Sequence, residues 1–290
     1  MVIKLSQLYL DAKQDLCKKE DPAAAAMIAR SLLCHITGKS KEQLIADFDT
    51  YASDKESGEM AAAVWRILTG MPLAYVIGEW DFYGMTLHVN KSVLIPRDDT
   101  CAVTDLAIKK ALYLDKSPRI LDLCTGSGCI GLALAHRVKD AKVTLADISN
   151  DALAVAKQNV KTQKLTGRVS CVISDALGEP NNFLGKFDMI VSNPPYVTTR
   201  EMEMLPRSVK DYEPHLALYG GEDGLDFYRA IAKNYQKALK PGGYLCFEFG
   251  MGQGDDVCRI LEENAYTILE RSRDYNDRER AVLAQSRKED

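Results

Sequence analysis

Ile120-Leu121-Asp122-Leu123-Cys124-Thr125-Gly126-Ser127-Gly128-Cys129-Ile130-Gly131 is the stretch whose reading decides the fold. A short apolar run of strand length passes into a glycine-rich turn, and the apolar residues after Gly128 open a helix. Working outward, further apolar strands fit Ile120–Leu123, Val143–Ala146, Val169–Ser174, Met189–Ser192 and Tyr244–Phe249, with helical stretches such as Asp151–Gln163 and Asp223–Leu239 between most of them. Alternation of this kind predicts an α/β domain whose doubly wound, mostly parallel sheet is covered on both faces. Tyr266–Glu270 and Arg280–Ala284 lack a long helix between them and are expected to close as an antiparallel pair.

In front of this domain the periodicity changes twice. Leu5, Leu8, Ala12 and Leu16 recur at helical spacing, Asp21-Pro22 starts a second helix that runs to Gly38, and Ser40 with Gln43 forms a capping box for a third through Phe48. A fourth carries Ala61, Val64, Trp65 and Leu68 before Gly70 and Pro72 stop it. Residues 74–95 alternate aromatic, β-branched and polar residues around Tyr83-Gly84, the pattern of a hairpin. The expected organisation is a helical substrate-docking domain at 1–73, a hairpin linker at 74–95 and a catalytic domain at 96–290.

The chain has 290 residues with 46% apolar and 27% charged side chains, which excludes a disordered or low-complexity protein. Its 37 Lys and Arg stand against 41 Asp and Glu, a net charge of −4, whereas gripping a phosphate backbone favours a basic excess. Nine basic and ten acidic residues over 1–75 make a nucleic-acid arm equally unsuited. The start runs into Asp11 and Asp15, where a signal peptide needs an apolar block, and the longest stretch free of charge and histidine, Leu123–Ala135, is short of a membrane span. A cytoplasmic protein is expected, with no membrane partner. The eight cysteines form no C-x-x-C pair and none of the four histidines lies at ligand spacing from them, so no metal site is expected.

Glycines at a strand-to-helix junction let a ligand approach the backbone, and the helix N-terminus turns free N–H groups toward it. Gly126, Gly128 and Gly131 also satisfy the dinucleotide spacing, with Asp147 near the position of a ribose-binding acid. Taken alone, the pattern suits a nicotinamide dinucleotide, S-adenosylmethionine, or tight helix packing with no ligand. Asp122 at the strand end tilts the choice toward a cationic amino-acid ligand over an anionic pyrophosphate. Asp147 ends the next strand, placed to accept two ribose hydroxyls, and Asp175 ends the third, either facing a ligand or closing its own turn.

Asn193-Pro194-Pro195-Tyr196 follows the buried strand Phe187–Ser192. A planar NH₂ group on a carbonyl or heteroaromatic ring is a poor nucleophile because its lone pair is delocalised. An Asn side-chain oxygen and the Pro194 carbonyl can accept its two hydrogens and aim the nitrogen at a methyl donor, while the prolines hold the acceptors rigid. Tyr196 offers a ring on which the planar group stacks.

With Asp-Leu-Cys-Thr-Gly-Ser-Gly at 122–128, Ala-Asp-Ile-Ser at 146–149 and Ser-Asn-Pro-Pro-Tyr at 192–196, the chain resembles class I S-adenosylmethionine-dependent methyltransferases, and more narrowly the release factor glutamine methyltransferases of the PrmC/HemK type. Further matching segments are Pro72–Gly78, Trp80–Phe82, Ile95-Pro96-Arg97, Glu213-Pro214, Ala217-Leu218, Gly220–Leu225, Tyr228-Arg229 and Asp274–Val282. The resemblance implies a seven-stranded class I sheet and methyl transfer to N5 of the glutamine in the Gly-Gly-Gln motif of peptide chain release factors, leaving S-adenosylhomocysteine. It places the cofactor on Asp122, Cys124, Thr125, Gly126, Ser127, Gly128, Asp147, Ile148, Asp175, Ala176 and Asn193. The target amide falls to Asn193, Pro194, Pro195 and Tyr196, with Asn193, Pro194 and Tyr196 catalytic and the enzyme monomeric. There are departures: Asp98-Asp99-Thr100-Cys101 stands where the family usually has Pro-Glu-Thr-Glu, Cys124 replaces a glycine, and Ala176 offers adenine no ring. Methylation of adenine N6 in DNA or RNA, or of a glutamine in a ribosomal protein, is the alternative. A non-catalytic nucleotide-binding protein leaves Asn193–Tyr196 unexplained.

Overall fold

The computed structural model describes residues 3–114 and 116–287. The chain divides into two compact units, one reaching Gly78 and taking in Arg207–Tyr212, the other comprising Glu79–Pro206 and the residues from Glu213 onward.

The smaller unit is helical: Leu5–Leu16, Pro22–Thr37, Lys41–Ala46, Asp54–Leu68 and Leu73–Ile77. Its helix starts are encoded locally. The Asp21 carboxylate accepts from the N–H groups of Ala23 and Ala24 ahead of Pro22, and capping boxes at Ser40/Gln43 and Ser53/Glu56 open the third and fourth helices. Each such cap contributes about 1 kcal/mol. The apolar stripe predicted on the first helix, Leu5, Leu8, Ala12 and Leu16, packs against Ile28, Leu32, Met60 and Val64. Two expectations are corrected. The third helix ends at Ala46, two residues short of Phe48, whose ring instead packs against Tyr9 at 5.5 Å. Residues 74–77, expected in the hairpin, lie in the short helix that Gly78 ends with φ 83°.

The larger unit begins with the hairpin itself, β1 (Glu79–Phe82) and β2 (Met85–His88), joined through Tyr83 at φ 53° and Gly84 at φ 77°. Two consecutive left-handed residues match the twist of the paired strands. Seven strands follow: β3 (Arg119–Leu123), β4 (Lys142–Asp147), β5 (Val169–Ile173), β6 (Phe187–Ser192), β7 (Leu239–Glu248), β8 (Tyr266–Arg273) and β9 (Glu279–Ser286). Their spatial order is β5-β4-β3-β6-β7-β9-β8, with β3 to β7 parallel and β9 antiparallel to both neighbours. Successive side chains point to opposite faces. Ile120, Met189 and Val191 meet the helices Cys101–Ala111, Cys129–Arg137 and Asn150–Thr162, whereas Leu121, Ile190 and Phe187 meet Asp226–Asn234 and Gly254–Glu263. The expected doubly wound, mostly parallel sheet is present. The helix expected from Asp223 to Leu239 is shorter, because Gly224 at φ 75° is left-handed just before it and a 3₁₀ turn at Tyr235–Ala238 finishes it.

The chain leaves β3 for β4 on one side, and β6 pairs with β3 on the other. At such a reversal the loops after the strands part and leave a crevice at the carboxyl edge. Among the described residues no helix is long and apolar enough to cross a membrane.

Candidate active site

A single cavity lies in that crevice. Its wall is built from the loops after four parallel strands: Cys124–Ser127 after β3, Asp147–Ser149 after β4, Ser174–Leu177 after β5, and Asn193 with Pro195 after β6. Pro96, Thr100, Pro214, Leu216, Ala217 and Phe227 complete it, and it encloses about 1010 Å³ counting its open mouth. Of the residues singled out from sequence, Cys124, Thr125, Gly126, Ser127, Asp147, Ile148, Asp175, Ala176, Asn193 and Pro195 border this one space. Asp122, Gly128, Pro194 and Tyr196 are not on its wall.

The glycine loop is held by two carboxylates in different ways. Asp122 is 1% exposed, and its Oδ2 accepts from the Thr125 hydroxyl at 2.6 Å and from the Gly131 N–H at 2.8 Å. That latch consumes one of the free N–H groups of the helix Cys129–Arg137, so Asp122 braces the loop from behind. Its Oδ1 is buried without a partner, and burial pushes the carboxyl up to about 7. Asp147 faces the cavity: Oδ2 accepts from the Gly126 N–H at 2.9 Å and Oδ1 from the Ser149 N–H at 3.0 Å. Each oxygen keeps a lone pair for a ligand. Burial raises its pKa above the ordinary aspartate value. Gly126 has φ 54°, and a Cβ there would meet nothing, so the backbone itself forms the cavity floor. At Gly131 a Cβ would stand 2.3 Å from Leu145 Cδ2 and 2.9 Å from Asp122 Oδ2, which is why the third glycine is needed for packing.

Asp175 closes its own turn, its Oδ1 accepting from the Leu177 N–H at 2.9 Å. Ala176 is buried in the wall beside it, and Ile148, 48% exposed, presents an apolar face. This set suits a flat, partly apolar ligand with a vicinal diol and a positive charge: a two-oxygen acceptor at Asp147, an apolar wall at Ile148 and Ala176, and an unpaired buried carboxylate oxygen behind the loop. S-adenosylmethionine has those features, whereas the carboxylates disfavour a pyrophosphate.

After β6, the Ser192 hydroxyl donates to the Leu123 carbonyl at 2.6 Å, fixing the strand end beside the glycine loop. Asn193 comes next, half-buried, with Nδ2 donating to Thr100 Oγ1 at 3.4 Å. Pro194 and Pro195 are buried and Tyr196 is half-buried, packed on the cluster containing Phe247 and Phe249. What pins this turn was not legible beforehand. Gly220 would place a Cβ 2.6 Å from the Pro195 carbonyl oxygen, and Gly224 one 2.3 Å from the Tyr196 carbonyl oxygen. Glycines there let the loop 218–226 lie directly on the turn, where Val197 N–H donates to the Leu218 carbonyl at 2.8 Å and Gly220 N–H to the Val197 carbonyl at 2.9 Å. Gln253 adds a staple, with Nε2 donating to the Tyr196 carbonyl at 3.1 Å and Oε1 accepting from the Gly250 N–H at 2.9 Å.

Three further residues receive no role from sequence, although Glu213 and Thr100 lie in segments quoted for the resemblance. Glu213, 5% exposed, accepts from Arg97 and from the Ile95 N–H, tying together two segments of the wall. Thr100 is 2% exposed on the wall, and Glu248 ends β7 at 1% exposure. The departures at Asp98 and Asp99 keep one acid in use, since Asp99 pairs with Arg280 at 3.0 Å. Among the described residues no cluster of His, Cys, Asp and Glu is arranged to hold a metal.

Comparison with known proteins adds the following. Residues 7–78 match the family described as PrmC N-terminal domain, and residues 104–222 match the Methyltransferase small domain. The chain is 43% identical to the release factor glutamine methyltransferase of Clostridium acetobutylicum, over 74% of this chain and 75% of that protein. It is 36% identical to the release factor glutamine methyltransferase of Haemophilus influenzae, over 93% and 94%. A methyltransferase from Pyrococcus furiosus, 17% identical, superposes on 78% of this chain and 98% of its own with a TM-score of 0.51, a likeness of fold.

Proposed function

Because the chain belongs to the release factor glutamine methyltransferase family, we propose that it methylates N5 of the glutamine in the Gly-Gly-Gln motif of a peptide chain release factor, using S-adenosylmethionine. The observation that carries the reading is that Asn193 opens onto the same cavity as the glycine loop and Asp147. The methyl donor supplies an electrophilic carbon on a sulfonium, and the rest of the work is positioning. Asp147 takes the ribose hydroxyls, Cys124–Gly128 the methionine portion, and Ile148, Asp175 and Ala176 the adenine. Asp122 favours a cationic ligand through the loop it braces.

Asn193 Oδ1 and the Pro194 carbonyl accept the two hydrogens of the target amide, which turns the nitrogen toward the methyl carbon and gathers its lone pair there. As the C–N bond forms, positive charge grows on nitrogen and both hydrogen bonds strengthen. Transfer would break the sulfonium S–CH₃ bond and leave S-adenosylhomocysteine, and the methylated nitrogen then gives one proton to solvent water, so no base is needed before transfer. Pro195 stiffens the turn, and the half-buried Tyr196 ring, which does not border the cavity here, stacks on the planar amide once it turns toward the slot. We assign the reaction to the cytoplasm, to a monomer, and to a protein substrate in preference to a nucleic acid, in keeping with the net charge of −4.

Asn193→Ala tests the assignment. It should lower kcat by roughly 10² to 10³, the loss that follows removal of one polar group stabilising developing charge, while binding of S-adenosylhomocysteine measured by calorimetry changes little. Undiminished kcat would remove Asn193 from the mechanism.

A further inference from the structure

We propose that Glu248, acting through Thr100, is the positioning residue that sets which end of the Asn193 amide faces the transferred methyl group. The inference rests on the role of Asn193 proposed above. A carboxamide has nearly the same shape either way round, but one end accepts hydrogen bonds and the other donates them. Turned over, Asn193 would present two N–H donors to an NH₂ group and reject its own substrate. The protein side must therefore hold Nδ2.

That side contains two groups, Thr100 and Glu248. Asn193 Nδ2 donates to Thr100 Oγ1 at 3.4 Å, and the Glu248 carboxyl lies beside these two side chains, both of which favour its charged form. Glu248 is brought there by the sheet, since β7 pairs with β6 in the register Ser192↔Phe247, one residue before each of the two side chains. It is 1% exposed, and its Oε2 has no hydrogen-bond partner. The nearby Arg280 is committed elsewhere, with Nη2 on Asp99 Oδ2 at 3.0 Å and Nε on Asp274 Oδ2 at 3.0 Å.

A buried carboxylate without an ion pair is costly, and a neutral side chain of the same shape would be cheaper for folding alone. An ionised carboxylate provides what a neutral group does not, namely acceptance only. Thr100 must then point its hydroxyl hydrogen at Glu248, which leaves the Oγ1 lone pair to accept from Asn193 Nδ2. The chain of hydrogen bonds has one sense, and Asn193 Oδ1 is left facing the cavity.

Burial pushes the Glu248 carboxyl up to about 7; Thr100, Arg280 and Asn193 favour the charged form and Asp99 opposes it. Tyr196 also lies near this carboxyl. Protonated, Glu248 becomes a donor and the sense of the chain is lost. kcat should therefore fall as pH drops through that range.

The experiment measures kcat, S-adenosylhomocysteine binding and melting temperature on the full chain for Glu248→Gln, Thr100→Val, Thr100→Ser and Asn193→Ala. Glu248→Gln and Thr100→Val should each lower kcat by roughly 10²-fold, the order of loss caused by a small misplacement of reacting groups, with product binding changed by no more than about twofold. Thr100→Ser should restore what Thr100→Val loses, and the double variant should be no worse than the worse single one. The acidic limb of the kcat profile should disappear in Glu248→Gln, whose melting temperature at pH 8 is equal to or above that of the unmodified chain. Should Glu248→Gln not fold, the Val/Ser pair at Thr100 decides alone. Unchanged kcat and pH profile beside an inactive Asn193→Ala would overturn this inference and leave the slot standing. An active Asn193→Ala would overturn both. Loss of kcat accompanied by equal loss of product binding would reduce Glu248 to a packing residue and overturn it as well.

Discussion

At the scale of single residues, Cys124 shows how a departure from a family pattern acquires a physical cost. It stands at φ 61°, a left-handed backbone that L side chains adopt at a cost of about 1 to 2 kcal/mol. The loop geometry demands a glycine, and the chain supplies a cysteine whose thiol, half-buried and near Asp147, is held protonated well above the usual thiol range by desolvation and by that carboxylate. Cys124→Gly should therefore be more stable than Cys124→Ala by about 1 kcal/mol, the reverse of their order in a helix. Urea unfolding of the two variants checks this, and equal midpoints would show that the loop carries no strain there. The substitution was legible in the sequence. Its meaning was not, because composition does not reveal the sign of φ.

At the scale of elements, the alternation of strand and helix was readable because each strand is a short apolar run and each helix has an apolar stripe. The antiparallel closure by β8 and β9 was readable from the missing helix between them. The ties between elements were hidden, because they join residues far apart in sequence. Asn159, on the helix Asn150–Thr162, has no exposed surface; its Oδ1 accepts from the His88 N–H at 2.7 Å and its Nδ2 donates to the carbonyls of His88 at 3.0 Å and Ser127 at 2.9 Å. One side chain thus joins the hairpin, a helix and the glycine loop. Asn159→Ala should cost about 1 to 3 kcal/mol through the buried backbone groups it orphans, and it should weaken S-adenosylhomocysteine binding by loosening Ser127. Calorimetry and thermal unfolding check both; loss of stability with unchanged binding would separate the hairpin from the glycine loop. The same distance in sequence concealed Gly220, Gly224 and Gln253, whose contacts with Pro195 and Tyr196 exist only once the sheet has formed. Asn193 was legible because the motif that marks it lies within four consecutive residues, whereas Thr100 and Glu248 reach it from opposite ends of the domain.

At the scale of the whole molecule, the stability profile follows from which carboxyls the fold buries. Asp122 and Glu248 rise from 3.8 and 4.5 to about 7. A folded-state value above the unfolded one means the native state binds more protons in between. Their contribution is present below about pH 4 and is lost as pH rises to about 7. Asp223 and Asp274, held below the usual carboxylate range, act in the opposite sense: their stabilisation is present above the unfolded value and is lost as pH falls through the folded one. The melting temperature should peak in mildly acidic solution and be lower at about pH 8 than at about pH 5, with Asp122→Asn reducing the drop. A curve that rises steadily to pH 8 would show these carboxyls to be ionised at no cost. The central claim concerns chemistry, and it is tested most directly by peptide mass mapping of a purified release factor after incubation with the chain and S-adenosylmethionine, with duplex DNA and RNA incubated in parallel. A single methyl group on the glutamine of the Gly-Gly-Gln motif, absent with Asn193→Ala, is the result expected; methyl on adenine, or none on the release factor, would contradict it.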